Sequence, residues 1–194
     1  SIGVQSFNNN ELKMIGRVHN ENDAEKAIRL SQKCGFSNIN LDIMFSLPGQ
    51  TKESFKYTLE KAVGLNPMHI SCYSLILEEN TPLYDEVISG EVKLCDEEQD
   101  RLLYEYACNF FAQKGFNQYE ISNFARRGYE CRHNLKYWNC DEYIGIGVAA
   151  HSYFKGERFF NTDSLKDYLS GSYRVGIAEK AEGMDAVSEY IIMG

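Results

Sequence analysis

The densest group of side chains capable of chemistry lies between Tyr129 and Tyr153. This segment holds two of the four histidines, two of the six cysteines and the only tryptophan of the chain. Imidazole and thiolate groups bind soft metal ions or a porphyrin iron, and aromatic rings offer flat apolar faces to a ligand. The segment therefore predicts one wall of a binding pocket.

His133 is the strongest candidate ligand in this segment, where it stands in the run CRHNLKYW. A neutral imidazole is a suitable axial ligand for haem iron, and the rings of Tyr137 and Trp138 can stack on a porphyrin plane. Two alternatives stay open. His133 can be a hydrogen-bonded structural residue, or it can join Cys131 and Cys140 in a zinc site, which would lack a fourth ligand.

The run from Gly145 to Ala150 matches the spacing of a dinucleotide-binding fingerprint. That fingerprint needs a βαβ unit that begins at its glycines, whereas the residues that follow here predict a strand. Tight packing, or close approach of the backbone to a ligand, explains the glycines better. His151 is the next residue, and its side chain is expected to face any ligand that approaches the backbone at these glycines.

The first half of the chain predicts the elements that place a second group of polar side chains. The runs SIGVQSF, FSNINLDIMFSL and HISCYSLIL predict strands about thirty residues apart with capped helices between them. This alternation predicts parallel βαβ units and an α/β fold. Because ligands collect at the carboxyl ends of parallel strands, Gln5, residues 42–50 and residues 75–79 are expected to share one rim.

Gln5, Arg17 and Asp42 are the polar residues at or near this rim that are best suited to hold a ligand. A guanidinium pairs with a carboxylate, a strand-end carboxylate accepts from ribose hydroxyls, and an amide can do either. The alternative is that Asp42 caps a neighbouring backbone and that Arg17 is solvated.

Composition restricts the function classes. The chain has 194 residues, 43% of them apolar, and a formal charge of -8, which disfavours binding to nucleic acid or to anionic membranes. No apolar run reaches the about 18 residues that would span a bilayer. The six cysteines form no Cys-x-x-Cys pair, which favours reduced thiols in a cytoplasmic protein.

The later part of the chain predicts further regular elements. Their patterns indicate a loop over residues 78–94, a helix over 96–114 with acidic residues in its first turns, a strand over 116–125, a hairpin that turns at Lys155-Gly156, and a further helix that begins in the last twenty residues.

Several motifs, read together, resemble one family. They are SIGVQSF, GFSNINLDIMFSLPGQT, NPMHISCYSL, NTPLY, YEISNFA, YECRHNLKYW and YIGIGVAAHSY. The chain is similar to the radical-SAM proteins related to oxygen-independent coproporphyrinogen III oxidase. The resemblance implies the second half of a (β/α)6 partial barrel over residues 1–94, an appended α+β segment over 95–176, and the start of a helical C-terminal domain over 177–194.

The resemblance also implies the ligand-binding residues. Gln5, Arg17 and Asp42 match contacts to S-adenosylmethionine, and Ile76 and His151 match two further contacts to it. Two positions depart from the family pattern. Ser46 stands where a glycine is usual, and Arg127 stands where a proline is usual.

The H-N-x-x-Y-W signature is similar to that of the haem-chaperone (HemW-like) subgroup. The resemblance implies that His133 binds haem as a ligand of the haem iron, and that Tyr137 and Trp138 lie near the haem. The implied function is delivery of haem to acceptor proteins, with peripheral membrane contact through those acceptors. The alternative is an oxygen-independent coproporphyrinogen III oxidase that decarboxylates propionates with a 5′-deoxyadenosyl radical.

The family's 4Fe-4S cluster motif, Cys-x3-Cys-x2-Cys, has no match in this chain. We therefore expect that the chain begins about halfway round the barrel and that it has no radical activity by itself. A barrel cut at this point would leave SIGVQSF as an exposed edge strand, which favours a homodimer.

Overall fold

The computed structural model describes residues 1–180, with the side chains of residues 1–173. The chain divides into two compact units, Ser1–Glu130 and Cys131–Gly194. The boundaries predicted at residues 94 and 176 stay predictions. In the structure, the elements between residues 95 and 130 contribute two strands to the sheet of the first unit.

A five-stranded sheet is the centre of the first unit. Its strands are β1 (Ile2–Gln5), β2 (Asn40–Phe45), β3 (His69–Ser74), β4 (Asn117–Gln118) and β5 (Asn123–Ala125). Their order is β1-β2-β3-β5-β4, with β1, β2 and β3 parallel and β5 antiparallel to β3. The predicted α/β fold with a parallel sheet is confirmed. The prediction of one strand over residues 116–125 was wrong, because the chain turns between β4 and β5.

The first unit also contains five helices, and a side-chain hydrogen bond caps the start of each. They are α1 (Asn9–Met14), α2 (Glu21–Lys33), α3 (Lys52–Gly64), α4 (Pro82–Ile88) and α5 (Glu97–Gln113). Thr51 caps α3 as predicted, and Asp96 caps α5. Helix α4 lies inside the predicted loop, where Thr81 accepts from the amide of Tyr84 and Pro82 fills the first helical position.

The two faces of β2 differ in polarity. Leu41, Ile43 and Phe45 alternate along the strand and are buried in the core formed with the helices. Each such side chain contributes about 1.5–3 kcal/mol through burial. Asn40 and Asp42 lie on the opposite face and are only half-buried. The sheet therefore has a covered apolar face and an open polar face.

Over residues 131–180, the described part of the second unit, the chain forms a three-stranded antiparallel sheet and two short helices. These elements are α6 (Arg132–Trp138), β6 (His151–Phe154), β7 (Glu157–Asn161), α7 (Leu165–Leu169) and β8 (Arg174–Lys180). The predicted hairpin turn at Lys155-Gly156 is confirmed, and both residues have positive φ, as a tight two-residue turn requires.

The predicted C-terminal helix was wrong over the residues that the structure describes. Residues 174–180 form β8, which pairs with β7. The pairing explains the difference, since a β-branched segment beside an open strand completes the sheet. Residues 181–194, which hold the rest of the predicted helical domain, lie outside the described part of the chain. In the described residues, no helix is long and apolar enough to cross a membrane.

Candidate functional site

Tyr73 lies where three predicted site residues converge on the polar face of the sheet. Its hydroxyl donates to Oε1 of Gln5 at 3.3 Å. Burial, and then the charge of Asp42, raises the pKa of Tyr73, whereas the hydrogen bond with Gln5 and the positive charge of Arg17 act in the opposite direction. Gln5 therefore contacts this phenol directly, and Asp42 and Arg17 lie near enough for their charges to act on it.

Gln5 is held in a conformation that few residues adopt. Its φ is 63°, and the pairing of β1 with β2 shifts register between Gly3 and Gln5. Such irregularities re-aim side chains, and this one leaves Gln5 only 5% exposed. A Cβ on Gly3 would lie 3.0 Å from Nε2 of Gln5, so glycine makes room for the amide.

A buried carboxyl group fixes the chain that follows Gln5. Glu11 is 3% exposed and accepts hydrogen bonds from Ser6 at 2.6 Å, Ser54 at 2.5 Å and Gln50 at 3.1 Å. Three donors compensate for the loss of water around this group. The network ties the end of β1 to the start of α3.

Asp42 lies in the sheet and not on the predicted rim. It is the third of the six residues of β2, so its side chain projects from the open face before the strand ends. Its carboxylate accepts from Nδ2 of Asn40 at 2.7 Å and from Oγ of Ser1 at 2.9 Å. These side-chain partners differ from the backbone cap that was the alternative.

Arg17 and Ile76 lie in loops at the carboxyl ends of strands. Arg17 is exposed and follows the end of α1, where its amide donates to the carbonyl of Leu12 at 2.9 Å. Ile76 is 73% exposed and follows β3. A ligand on this rim could therefore reach both side chains.

Asn123 adds a further acceptor to the polar face; the sequence suggested that it lines a cavity, with a packed strand as the alternative. It lies opposite Ser71 in the β3–β5 pair, so both side chains are on the same sheet face. Oδ1 of Asn123 is buried and has no hydrogen-bond partner among the described residues. S-adenosylmethionine carries hydroxyl and amino donors, so the acceptors Asp42, Gln5 and Asn123 fit its chemistry.

A 4Fe-4S cluster does not fit the described residues. Within residues 1–180, no group of three or more His, Cys, Asp or Glu side chains is placed to hold a metal ion. This range includes Cys131, His133 and Cys140, so these three side chains are not placed to share a zinc ion.

The two departures from the family pattern have local structural explanations. Ser46 has a φ of 58°, a conformation that favours glycine. Its hydroxyl donates to Oδ1 of Asp100 at 2.5 Å, which ties the end of β2 to α5. Arg127 is the second residue of a turn closed by the amide of Tyr129 and the carbonyl of Arg126, a position that favours proline.

His133 and Tyr137 share one face of α6, since they are four residues apart. The Tyr137 hydroxyl lies 3.0 Å from Nε2 of His133, and the two ring centroids are 4.9 Å apart. The ring of Tyr143 packs 4.5 Å from that of Tyr137. His133 is exposed, so an imidazole and an aromatic surface are accessible together.

Trp138 does not share this face. It is half-buried and follows Tyr137 directly, and an α-helix turns by about 100° per residue. The predicted group of His133, Tyr137 and Trp138 is therefore divided between two sides of α6, and Tyr143 is the aromatic neighbour that the sequence did not indicate.

His151 begins β6 in the second unit, whereas Gln5, Arg17 and Asp42 belong to the first. Its exposed ring stacks on Phe160, with centroids 5.4 Å apart. A Cβ on Gly145 would lie 2.1 Å from the carbonyl oxygen of His151. The close approach at Gly145 is therefore to the protein's own backbone.

Comparisons with known proteins identify the family. No protein-family model matches the chain. The proteins named heme chaperone HemW from Lactococcus lactis subsp. lactis and Bacillus subtilis are each 41% identical to it, over 89% and 87% of this chain and 45% of each relative. The chain thus spans a little under half the length of these relatives.

A solved structure shows the same fold. Coproporphyrinogen III oxidase (HemN) from Escherichia coli, described as a radical SAM enzyme, superposes with a TM-score of 0.76 at 21% identity, over 98% of this chain and 48% of that one. This likeness concerns the fold alone. The family is shown by the sequence relatives instead: the chain belongs to the HemW-like radical-SAM proteins.

Proposed function

We propose that the full-length protein is a cytoplasmic haem chaperone, which binds haem and S-adenosylmethionine and delivers haem to acceptor proteins. The observation that carries the proposal is the 41% identity to proteins named heme chaperone HemW over 89% of the chain. This region includes both the polar sheet face and α6. A 4Fe-4S cluster would be held by residues other than those described here.

Haem is assigned to the exposed face of α6. His133 offers an accessible imidazole, and the rings of Tyr137 and Tyr143 extend an apolar surface beside it. When bound, haem supplies an iron atom that accepts a lone pair from a ring nitrogen. The Tyr137 hydroxyl is the present partner of Nε2, so it must give way if that nitrogen becomes the ligand.

Haem titration of the full-length protein tests this assignment. We expect His133→Ala to weaken haem binding by about tenfold and to shift the Soret band, because loss of an axial ligand changes both. His19→Ala is the matched control, since that imidazole lies 3.1 Å from the carbonyl of Val4 in the first unit. Equal affinities and spectra for His133→Ala and wild type would refute the assignment.

S-adenosylmethionine is assigned to the polar face of the first unit, with Gln5, Arg17, Asp42 and Ile76 as contacts, and the contact implied for His151 stays a prediction. The convergence of the first three on Tyr73 supports this. Bound beside a reduced cluster, S-adenosylmethionine supplies a radical. The described residues bind and orient it, and none of them is assigned a step in that chemistry.

Calorimetric titration with S-adenosylmethionine tests the second assignment. We expect Asp42→Asn in the full-length protein to lower affinity about tenfold, since the amide loses charge and acceptor capacity. Asp85→Asn on the exposed side of α4 is the control. Unchanged affinity for Asp42→Asn would remove Asp42 from the site.

Delivery of haem is tested with an acceptor. Haem-loaded full-length protein is mixed with an apo-haemoprotein, and the Soret band of the acceptor is followed. Transfer supports the chaperone. Anaerobic conversion of coproporphyrinogen III to a decarboxylated porphyrin by the protein would overturn it in favour of the oxidase.

Peripheral membrane contact through acceptors is a further proposal, tested by flotation with acceptor-containing vesicles.

A further inference from the structure

We propose that His69 positions the carboxylate of Asp42 through Asn40, and that it does so as a neutral imidazole protonated on Nδ1. The inference rests on the proposed function, since it takes Asp42 as a contact of S-adenosylmethionine. His69 does not itself touch the ligand in this proposal. It is a positioning residue, separated by two hydrogen bonds from the side chain that binds.

The residues form a continuous chain of hydrogen bonds across strands β2 and β3 and the segment between β4 and β5. Nδ1 of His69 lies 2.6 Å from Oδ1 of Asn40, its direct neighbour in the β2–β3 register. Nδ2 of Asn40 donates to Oδ1 of Asp42 at 2.7 Å. At the other end, Nε2 of His69 lies 2.7 Å from the hydroxyl of Tyr119, which precedes β5. The hydrogen bonds thus link four side chains one after another, and these are Asp42, Asn40, His69 and Tyr119.

The carboxylate determines the direction of every bond in this chain. A carboxylate only accepts, so the nitrogen of the Asn40 amide must face Asp42 and its oxygen must face His69. Nδ1 of His69 then has to be the donor. In a neutral ring, Nε2 is left as the acceptor for the Tyr119 hydroxyl. The amide orientation and the tautomer are thus linked.

Burial supports the neutral form of His69. The residue is 6% exposed, and burial lowers the pKa of its imidazole. The charges of Asp42 and Glu130 act in the opposite direction and are smaller causes. Tyr119 faces the ring from the segment between β4 and β5, with centroids 5.6 Å apart.

The chain restricts how Asp42 can turn. Nδ2 of Asn40 also lies 2.7 Å from Oγ of Ser1, which itself donates to Oδ2 of Asp42. Oδ1 of Asp42 therefore accepts from the Asn40 amide, which His69 orients. Oδ2 accepts from Ser1, whose hydroxyl also contacts the Asn40 amide. Without His69, the oxygen of the Asn40 amide would keep only the longer hydrogen bond from Ser71, at 3.3 Å, and Asp42 would be held less firmly in its direction.

Affinity for S-adenosylmethionine in the full-length protein tests the inference. We expect His69→Leu to lower affinity about tenfold, and His69→Asn, which keeps an amide donor near the place of Nδ1, to restore it to within about threefold of wild type. Ile70→Val is the matched control. Ile70 is the next residue of β3, fully buried on the opposite face, and its truncation should leave affinity unchanged.

A spectroscopic measurement separates positioning from general stability. Nitrogen-15 NMR of histidine side chains in the full-length protein should show His69 as a neutral ring protonated on Nδ1 at pH 7.5. A ring protonated on Nε2, or a charged ring, would overturn the inference. If His69→Leu does not fold, Asn40→Ala takes its place in the titration, and we expect the same tenfold loss from it.

The outcomes distinguish this inference from the proposed function. If Asp42→Asn has wild-type affinity, the proposed site fails. If Asp42→Asn weakens binding while His69→Leu and Asn40→Ala bind as wild type, the site stands and the positioning role of His69 is wrong. If His69→Asn is as weak as His69→Leu, the donor at Nδ1 is not what matters and the inference is also wrong.

Discussion

Individual residues in this protein are ordered by partners that lie far away in sequence. Tyr73 is the clearest example, because Gln5 and Arg17 come from the β1–α1 region and Asp42 from β2. Ser46 is another, since it adopts a left-handed conformation while its hydroxyl reaches Asp100 on α5. In the first case Tyr73 of β3 contacts Gln5 of β1, a strand that is not its neighbour in the sheet. In the second case Ser46 connects the end of β2 to α5.

Ser46 allows backbone strain and hydrogen bonding to be measured separately. Ser46→Gly relieves strain but loses the bond to Asp100, whereas Ser46→Ala loses the bond and keeps the strain. With about 1–2 kcal/mol for the strain and about 1.5–3 kcal/mol for a bond to a charged group, we expect stability to fall from serine to glycine to alanine. Urea unfolding measures the order. A glycine variant more stable than wild type would show that the hydrogen bond contributes less than the strain that glycine relieves.

His69 gives a stability that depends on pH. Its pKa is lowered by burial from an ordinary value of 6.5, so the unfolded chain binds the proton more readily. Its contribution is therefore fully present above pH 6.5 and is lost as the pH falls through the lower pKa of the folded state. We expect wild type to lose more unfolding free energy than His69→Asn between pH 7.5 and 5.5 in urea titrations. An identical loss in both would contradict the assignment.

At the scale of elements, regular patterns and caps predicted most of the first unit. The alternation of Leu41, Ile43 and Phe45 and the cap at Thr51 are visible in the sequence and present in the structure. Helix α4 was missed although Thr81-Pro82 is a helix start. Helix α6 was not predicted because it has seven residues and His, Tyr and Trp are modest helix formers.

The arrangement around Asp42 and Tyr73 could not be predicted from the sequence. It depends on the register of β2 against β3 and on the irregularity between Gly3 and Gln5, and a shift of one residue would reverse both faces. Residue types indicated Gln5, Arg17 and Asp42. Tyr73 is indicated only by the paired strands, which also place Asn123 on the same face as Ser71.

Strand β1 makes a prediction at this scale. It is at an edge of the five-stranded sheet and pairs with β2 alone among the described strands. Unpaired strand edges associate with other chains, so we expect the 194-residue chain to dimerise. Ile2→Lys should reduce dimerisation in sedimentation velocity, whereas Ile2→Val should not. Concentration-independent monomers in wild type would refute the prediction.

At the scale of the whole molecule, the two proposed ligands are assigned to different compact units. Gln5, Arg17 and Asp42 lie in Ser1–Glu130, and His133 and Tyr137 lie in the unit that begins at Cys131. Each set of side chains is ordered by contacts inside its own unit.

This division predicts that the two ligands can be separated by mutation. In the full-length protein, we expect Asp42→Asn to leave haem affinity within about twofold of wild type, and His133→Ala to leave S-adenosylmethionine affinity equally unchanged, because residues without shared partners act independently. The two titrations already described measure both. A loss of both affinities in either variant would show that the sites are coupled.

The contact at Gly145 also bears on how the sequence can vary. Any side chain there would begin 2.1 Å from the carbonyl oxygen of His151, whereas the space around Gly147 is open and only its φ of 120° opposes substitution. A saturation library should therefore recover no folded replacement at residue 145. At residue 147 it should admit asparagine, a side chain that tolerates positive φ. Of two neighbouring glycines, the first tolerates no side chain at all, while the second is limited by its backbone conformation.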